Sequence, residues 1–378
     1  MSPKKLAAVL AGILRDFEPW ADPDRDHQWG GPQVQLSPEQ VKALPPYSVF
    51  LALVTFSKIP YFGRSEKIAW TIPVCFRGVA YLISHQKFGL RIHPGKAEDT
   101  NTELEKALID RLRHAVKISD GLVRPFAEEQ IAAGKVTISN QGGLYIGKYF
   151  FFREKAEKCY STPGPEKGED PVVGVNRKLK PDREGFFYAS ASLEAYFSYL
   201  EHMLVLVLAF CDFDPAKESL TKFIGSLWAD KFKRVFDLVA DNEAEKVYHS
   251  LLQVKEKFRN PLSHGGFDRD ATTLHFHVPG LGALPMSLSR YAESIHYGFN
   301  PIVAVSFKEV CDSLDKAEDF FENGSRRLEM RCVRSGMAIS FSERSRRDYK
   351  NAIKSEADAD VFIDGVLTDM DDATNMDW

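Results

Sequence analysis

"FYASASLEAYFSYLEHMLVLVLAF", residues 187–210, is apolar almost all round. A surface helix would carry a polar face, so a helix of this composition belongs at the centre of a bundle. Its most apolar run, "MLVLVLAF" at 203–210, is far too short to span a bilayer and follows Glu201-His202. The reading of this stretch places a helical domain in the second half of the chain.

Working outward, residues 215–240 and 243–258 read as further helices. In the latter, Val247, Leu251, Val254 and Phe258 are spaced four, three, four, which makes one apolar stripe. Residues 271–292 read as a strand or hairpin excursion, and 300–323 as a last long helix. Upstream, "STPGPEKGEDPVVGVNRKLKPDREG" (161–185) carries four prolines and many charges without periodicity, the pattern of a linker or long surface loop. Downstream, "ERSRRDYKNAIK" (343–354) is basic, and residues 355–378 hold eight acids with no Lys or Arg. Such a tail is expected to be solvated and poorly ordered.

The first 160 residues differ. A short amphipathic helix over 5–17 and a Pro/Gly/Asp-rich loop over 20–46 precede "YSVFLALVTFSKI" (47–59) and "IAWTIPVCFRGVAYLISHQKFGLRIHP" (68–94). Both are rich in β-branched and aromatic residues and read as strands, with turns near Gly78 and Lys87-Phe88-Gly89. Leu104, Leu108, Leu112 and Val116 recur every four residues, so 102–134 is helical, capped by Thr100 or Asn101 and ended or restarted by Pro125. "KVTISNQGGLYIGKYFFF" reads as a hairpin turning at Gly142-Gly143.

Composition sets the frame. At 378 residues two domains are the default, and 44% apolar with 27% charged residues is that of a soluble globular protein. A net charge of −4 means that any nucleic-acid surface must be a local basic patch. Five cysteines without paired spacing suit free thiols in a reducing cytoplasm. The opening twenty residues carry an apolar run, but its helical spacing and Arg15-Asp16 speak against a secretory signal.

Three patterns bear on chemistry. "GGLYIGK" (142–148) matches a phosphate-binding loop, but that motif needs a hydroxyl next and a helix after it; here Tyr149 and Phe150-Phe151-Phe152 follow. His275 and His277 alternate along a strand near His264, Asp268 and Asp270, a set from which a metal site that activates water could be built. Third, "KFRNPLSHGG" (257–266) puts Arg259 at the end of an amphipathic helix, with His264 five residues on. Arg followed by His at such a distance is uninformative alone: 22 Arg and 10 His make each fixed spacing occur about half a time by chance. The loose pattern recurs at Arg269/His275 and Arg290/His296. Context favours Arg259. Asn260 suits a helix cap and Pro261 a first helical position, and the break there can bring two side chains to one place that an unbroken helix would point about 140° apart.

"FRNPLSHG" resembles the R-x(4–6)-H motif of HEPN domains in the form where Asn follows the Arg. "SLEAYFSYLEHMLVLVLAF" is similar to that family's long aromatic-rich first helix, and the motif follows further helices at a similar distance. The resemblance covers about 185–325. It implies a metal-independent endoribonuclease without cofactor, of the kind found in prokaryotic toxin and antiviral-defence systems. The family commonly acts as a homodimer through the helical domain, with RNA as substrate and in some members a regulatory partner. Carried over, Arg259 and His264 are catalytic and Asn260 orients the site. Glu201, on the long helix, is a candidate to position either. Some toxin members have a tyrosine two residues past the histidine; here Gly266 stands there.

The expectation is therefore multi-domain: an α+β domain over 1–160, a linker over 161–184, an all-α HEPN-like bundle with a short β excursion over 185–335, and a flexible basic-then-acidic tail over 336–378. The alternative to the nuclease is a non-catalytic HEPN-like RNA-binding or scaffold protein.

Overall fold

The computed structural model describes residues 2–20, 31–164, 166–259, 275–285 and 304–376. The chain divides into two compact units, one of residues up to Ala133 with those from Gly365 on, the other running from Gly134 to Asp364.

In the first unit, α1 (Pro3–Ile13) and β1 (Phe17–Pro19) are followed by α2 (Pro38–Ala43) and α3 (Pro46–Phe50). Then come β2 (Ile68–Phe76), β3 (Val79–Gln86), β4 (Gly89–Pro94) and the 31-residue α4 (Thr102–Ala132). The strands form an antiparallel sheet in the order β1-β2-β3-β4. Alternation sets its buried face: Trp70, Ile72, Val74 and Phe76 point one way on β2, and Ile72 pairs with Ile83, which pairs with Ile92. These residues share a core with Leu10 of α1 and with Leu108, Leu112 and Ala115 of α4. The turns fall where the sequence puts them, with Arg77 at φ 50 and Gly78 at φ 84 between β2 and β3. Asn101 caps α4, its Oδ1 accepting from the Glu103 and Leu104 N–H groups at 3.1 Å each.

Two expectations fail here. Residues 47–59 are not a strand: α3 continues as a π-helical segment over Leu51–Phe56. Pro46 at the first turn and the buried positions Val49, Ala52 and Leu53 have helical spacing, which outweighs β-branched composition. Pro125 does not end α4. It lies on the exposed side, where the Gly121 carbonyl that loses its N–H partner can be hydrated. Gly121 itself permits close approach of α1, since a Cβ there would lie 2.7 Å from Leu6 Cδ1.

The second unit begins with β5 (Thr137–Ile138) and α5 (Gly142–Tyr160), then α6 (Pro171–Val207), α7 (Leu220–Gly225), α8 (Trp228–Val235) and α9 (Asn242–Val254). Next come β6 (His275–Val278), β7 (Gly282–Pro285), α10 (Ala304–Asn323), α11 (Arg327–Arg334), β8 (Ile339–Ser340), α12 (Glu343–Ala352) and α13 (Glu356–Asn375), whose last residues belong to the first unit. β6 and β7 pair as the expected excursion, and β5 pairs with β8.

The expected hairpin at Gly142-Gly143 is instead the start of α5. Gly142, Tyr149 and Ala156 are its buried residues, spaced by seven along one face. Gly142 is small because of packing: a Cβ there would lie 3.1 Å from Met203 Sδ of α6. At the other end of this antiparallel pair, a Cβ on Gly185 would meet the Tyr160 ring at 2.9 Å. The division of the chain thus falls at Gly134 rather than after 160, since α5 packs on α6.

Nor is 161–184 a linker throughout. α6 starts at Pro171, with Asp170 accepting from the Val172 N–H at 2.8 Å, and runs through Pro181. The tail is helical too. Tyr349 is buried and stacks on Phe210 at 4.5 Å, and Arg327 and Arg331 pair with Glu356 and Asp360 of the acidic block. A few buried side chains at helical spacing order a segment whose composition reads as solvated. Val172–Phe210 is long and apolar enough to cross a membrane by length and composition, but 78% of its apolar window is buried inside the structure. All five cysteines are free.

Candidate active site

α6 carries Glu194, Phe197 and Glu201 at spacings of three and four, two turns along one face. Trp228 and Lys231 of α8 and the end of α9 face them. Over Lys255–Arg259 the backbone of α9 widens from α to π winding, an irregularity often found at functional sites. There the Arg259 side chain meets Glu194. Nε lies 3.2 Å from Oε1, and both Nε and Nη2 donate to Oε2 at 3.3 Å. Both side chains are partly exposed, 26% for Arg259 and 44% for Glu194, so the pair sits at the rim of the unit and not in its core.

One turn pair further along α6, Glu201 accepts from Lys231 Nζ at 3.1 Å, with the lysine side chain only 4% exposed. Lys255 lies between the two pairs. Its ammonium is 5.3 Å from the Trp228 ring centre and 5.7 Å from that of Phe197, the aromatic faces partly replacing lost water. Burial first, and then the Arg259 charge, push the Lys255 ammonium below the usual lysine range, while Glu201 and Glu194 oppose that shift. Among the described residues, the strip thus sets three cations, Lys255, Arg259 and Lys231, against the two carboxylates Glu194 and Glu201 that act on them. It is a local positive excess on a chain whose net charge is −4, and its outermost member is a guanidinium already gripping one oxyanion by its fork.

Of the residues that the sequence singles out, Arg259 is at this strip. Asn260 and His264 lie outside the described residues, as do Asp268 and Asp270 of the metal reading; His275 and His277 are on β6. Among the described residues no group of three or more His, Cys, Asp or Glu side chains could hold a metal ion. Glu201 pairs with Lys231, and the carboxylate that meets Arg259 is Glu194, seven residues earlier. "GGLYIGK" is helix from its first glycine, so its amides serve the helix and do not form a phosphate-binding loop.

Glu194, Lys231 and Lys255 are not singled out by the sequence. Two signals were present: Glu194 and Glu201 share a face of an otherwise apolar helix, and Lys255 precedes Arg259 by one helical turn. Lys231 leaves no such trace, because its pairing crosses 30 residues.

The opposite face of α6 has its own polar network. Tyr196 donates to Glu318 at 2.9 Å, and Arg334 donates to Glu318 at 2.6 Å and to Tyr199 at 3.2 Å, tying α10 and α11 to α6. Burial raises the Glu318 carboxyl above its usual range, opposed by Arg334. The network is half-buried, with Arg334 and Glu318 both partly exposed, and it ties three helices together. No family model matches the chain, and no curated protein or solved structure matches it either.

Proposed function

We propose that the chain is a metal-independent endoribonuclease of HEPN type, acting in the cytoplasm in a prokaryotic toxin or antiviral-defence setting. The observation that carries the reading is the Arg259 guanidinium, held in a forked contact with Glu194 at the end of α9, within a strip of net positive charge. A fork that fits a carboxylate also fits the non-bridging oxygens of a phosphodiester, which in this proposal displace Glu194 from part of that contact.

The chemistry is internal transfer. The ribose 2′-oxygen attacks the adjacent phosphorus, its proton passes to a base, the bond from phosphorus to the 5′-oxygen breaks, and that oxygen takes up a proton. The products are a 2′,3′-cyclic phosphate and a 5′-hydroxyl, with no water, metal or cofactor consumed. His264 moves protons near neutral pH, a contribution of about 10²–10⁴ in rate. Arg259 balances charge growing on the phosphate oxygens, typically worth about 10²–10³. Asn260 orients the pair. A homodimer through the helical unit would bring two such pairs to one cleft, and DNA, lacking the 2′-hydroxyl, would resist.

A second reading, a non-catalytic RNA-binding or scaffold protein, draws on the same contact, because a bridge between α9 and α6 also serves as a strut. Expression of the wild type, Arg259→Ala and His264→Ala in cells, with growth and total RNA followed, separates the two. The nuclease reading predicts arrested growth and fragmented RNA in the wild type alone. Intact RNA in all three, with a phenotype that survives both substitutions, favours the scaffold.

A further inference from the structure

Away from the charged strip, the first unit has a groove of about 520 Å³ between α4 and the corner joining α2 to α3. Lys42 comes from the end of α2, and Arg113, His114 and Lys117 from one face of α4, with Asp110 and Asp120 of the same helix also in the lining. The α4 residues recur at helical spacing, on turns whose other side is committed to the core through Leu112, Ala115 and Ser119.

From this groove we infer a binding site for a small phosphate-bearing molecule of about nucleotide size. Three cations share one concave space, and their mutual repulsion favours an anion among them. Their charges are little used by the protein. Arg113 has one contact, to Asp110 at 3.5 Å, between side chains that are 48% and 63% exposed. The side chains of Lys42, His114 and Lys117 make no hydrogen bond or ion pair among the described residues. A guanidinium fork beside two ammonium groups suits phosphate oxygens, one bidentate and the others as point charges. The apolar part of the wall, with Pro45 and Val116, gives an organic group a surface to lie on. The volume falls within the range of about 300–1,000 Å³ usual for small-molecule sites. The two carboxylates in the lining, Asp110 and Asp120, repel further phosphates and so favour a compact ligand over a long polyanion. The inference is independent of the nuclease reading, since it uses none of the strip's residues.

The test is calorimetric titration of the full chain with AMP, ATP and inorganic pyrophosphate, and with a single-stranded oligonucleotide, at low and moderate salt. Arg113→Glu and Lys117→Glu reverse charge at exposed positions, and Lys106→Glu, on α4 outside the groove, is the control. The site predicts that ATP or AMP binds with a submillimolar Kd. It also predicts that each groove variant raises this Kd at least tenfold, while the control leaves it within about twofold. Pyrophosphate is predicted to bind more weakly at the same place. No binding of either nucleotide at millimolar concentration overturns the inference. So does binding that both groove variants retain, or binding of the oligonucleotide alone.

Discussion

Arg259 meets Glu194 through both Nε and Nη2, and that geometry separates charge from shape in substitution. Arg259→Lys keeps the charge and loses the fork. It is predicted to lower RNA cleavage nearly as far as Arg259→Ala, by about 10²-fold or more, with little change in melting temperature. Initial rates with a labelled RNA, beside a thermal melt, check this; a lysine variant within a fewfold of wild type would mean that charge alone suffices. Lys231 and Glu201 make a different case. The ammonium is buried while the carboxylate is 37% exposed, so removing the acid strands a charge, whereas replacing the lysine by an apolar chain of similar length does not. Glu201→Ala is predicted to cost about 2 kcal/mol and Lys231→Met less than half of that in urea unfolding, and equal losses would contradict the asymmetry. At this scale the sequence is informative about Arg259 because of its context at a helix end. It is silent on Lys231, because an exposed lysine and a buried one are spelled alike.

Elements were legible where hydrophobic spacing and chain breaks agreed. The three strands over 68–94 carry β-branched and aromatic residues broken by turns at Gly78 and Gly89, and α4 has both its stripe and its Asn101 cap. Legibility failed where composition and spacing disagreed, at α3 and its π extension and at the start of α5, whose glycines serve a helix interface. Gly185→Ala forces a methyl against the Tyr160 ring and is predicted to destabilise by about 1–3 kcal/mol. Gly147→Ala, with nothing within 4 Å of the new Cβ, should stabilise α5 by about 0.5–1 kcal/mol. Chemical denaturation of both variants checks the contrast, and the same sign for both would refute the packing account. The start of α5 also depends on pH. His202 Nε2 accepts the Gln141 N–H at 2.9 Å, and burial holds the imidazole below its usual range. The unfolded chain then binds the extra proton first, so this stability is fully present above a pH of about 6.5 and is lost as pH falls below that value through the lower folded-state pKa. His202→Gln keeps an acceptor without a titration, and its melting temperature should fall less than wild type between about pH 7.5 and 5.5. Equal falls would exclude His202 as the cause.

For the molecule as a whole, composition indicated two units and the correct order, a mixed α+β unit before a helical one. The boundary and the tail were not legible, because they depend on contacts across long stretches: α5 on α6, and Arg327 and Arg331 on the acidic block. The candidate site divides in the same way. Its guanidinium lies in a stretch that the sequence singles out, while the carboxylate and ammonium groups around it come together only through the packing of α6, α8 and α9. With a net charge of −4, the proposed nuclease can draw RNA only through that local excess, and this proposal predicts RNA binding that weakens steeply with salt. The most direct measurement is cleavage of a short RNA by the purified full chain in EDTA, with the product ends identified, for wild type, Arg259→Ala and His264→Ala. A second substrate carries a single 2′-deoxy nucleotide at the cut site. The account predicts 2′,3′-cyclic phosphate ends from the wild type only, and no cut at the deoxy position. Cleavage that persists in both variants, or that ignores the missing 2′-hydroxyl, would contradict it.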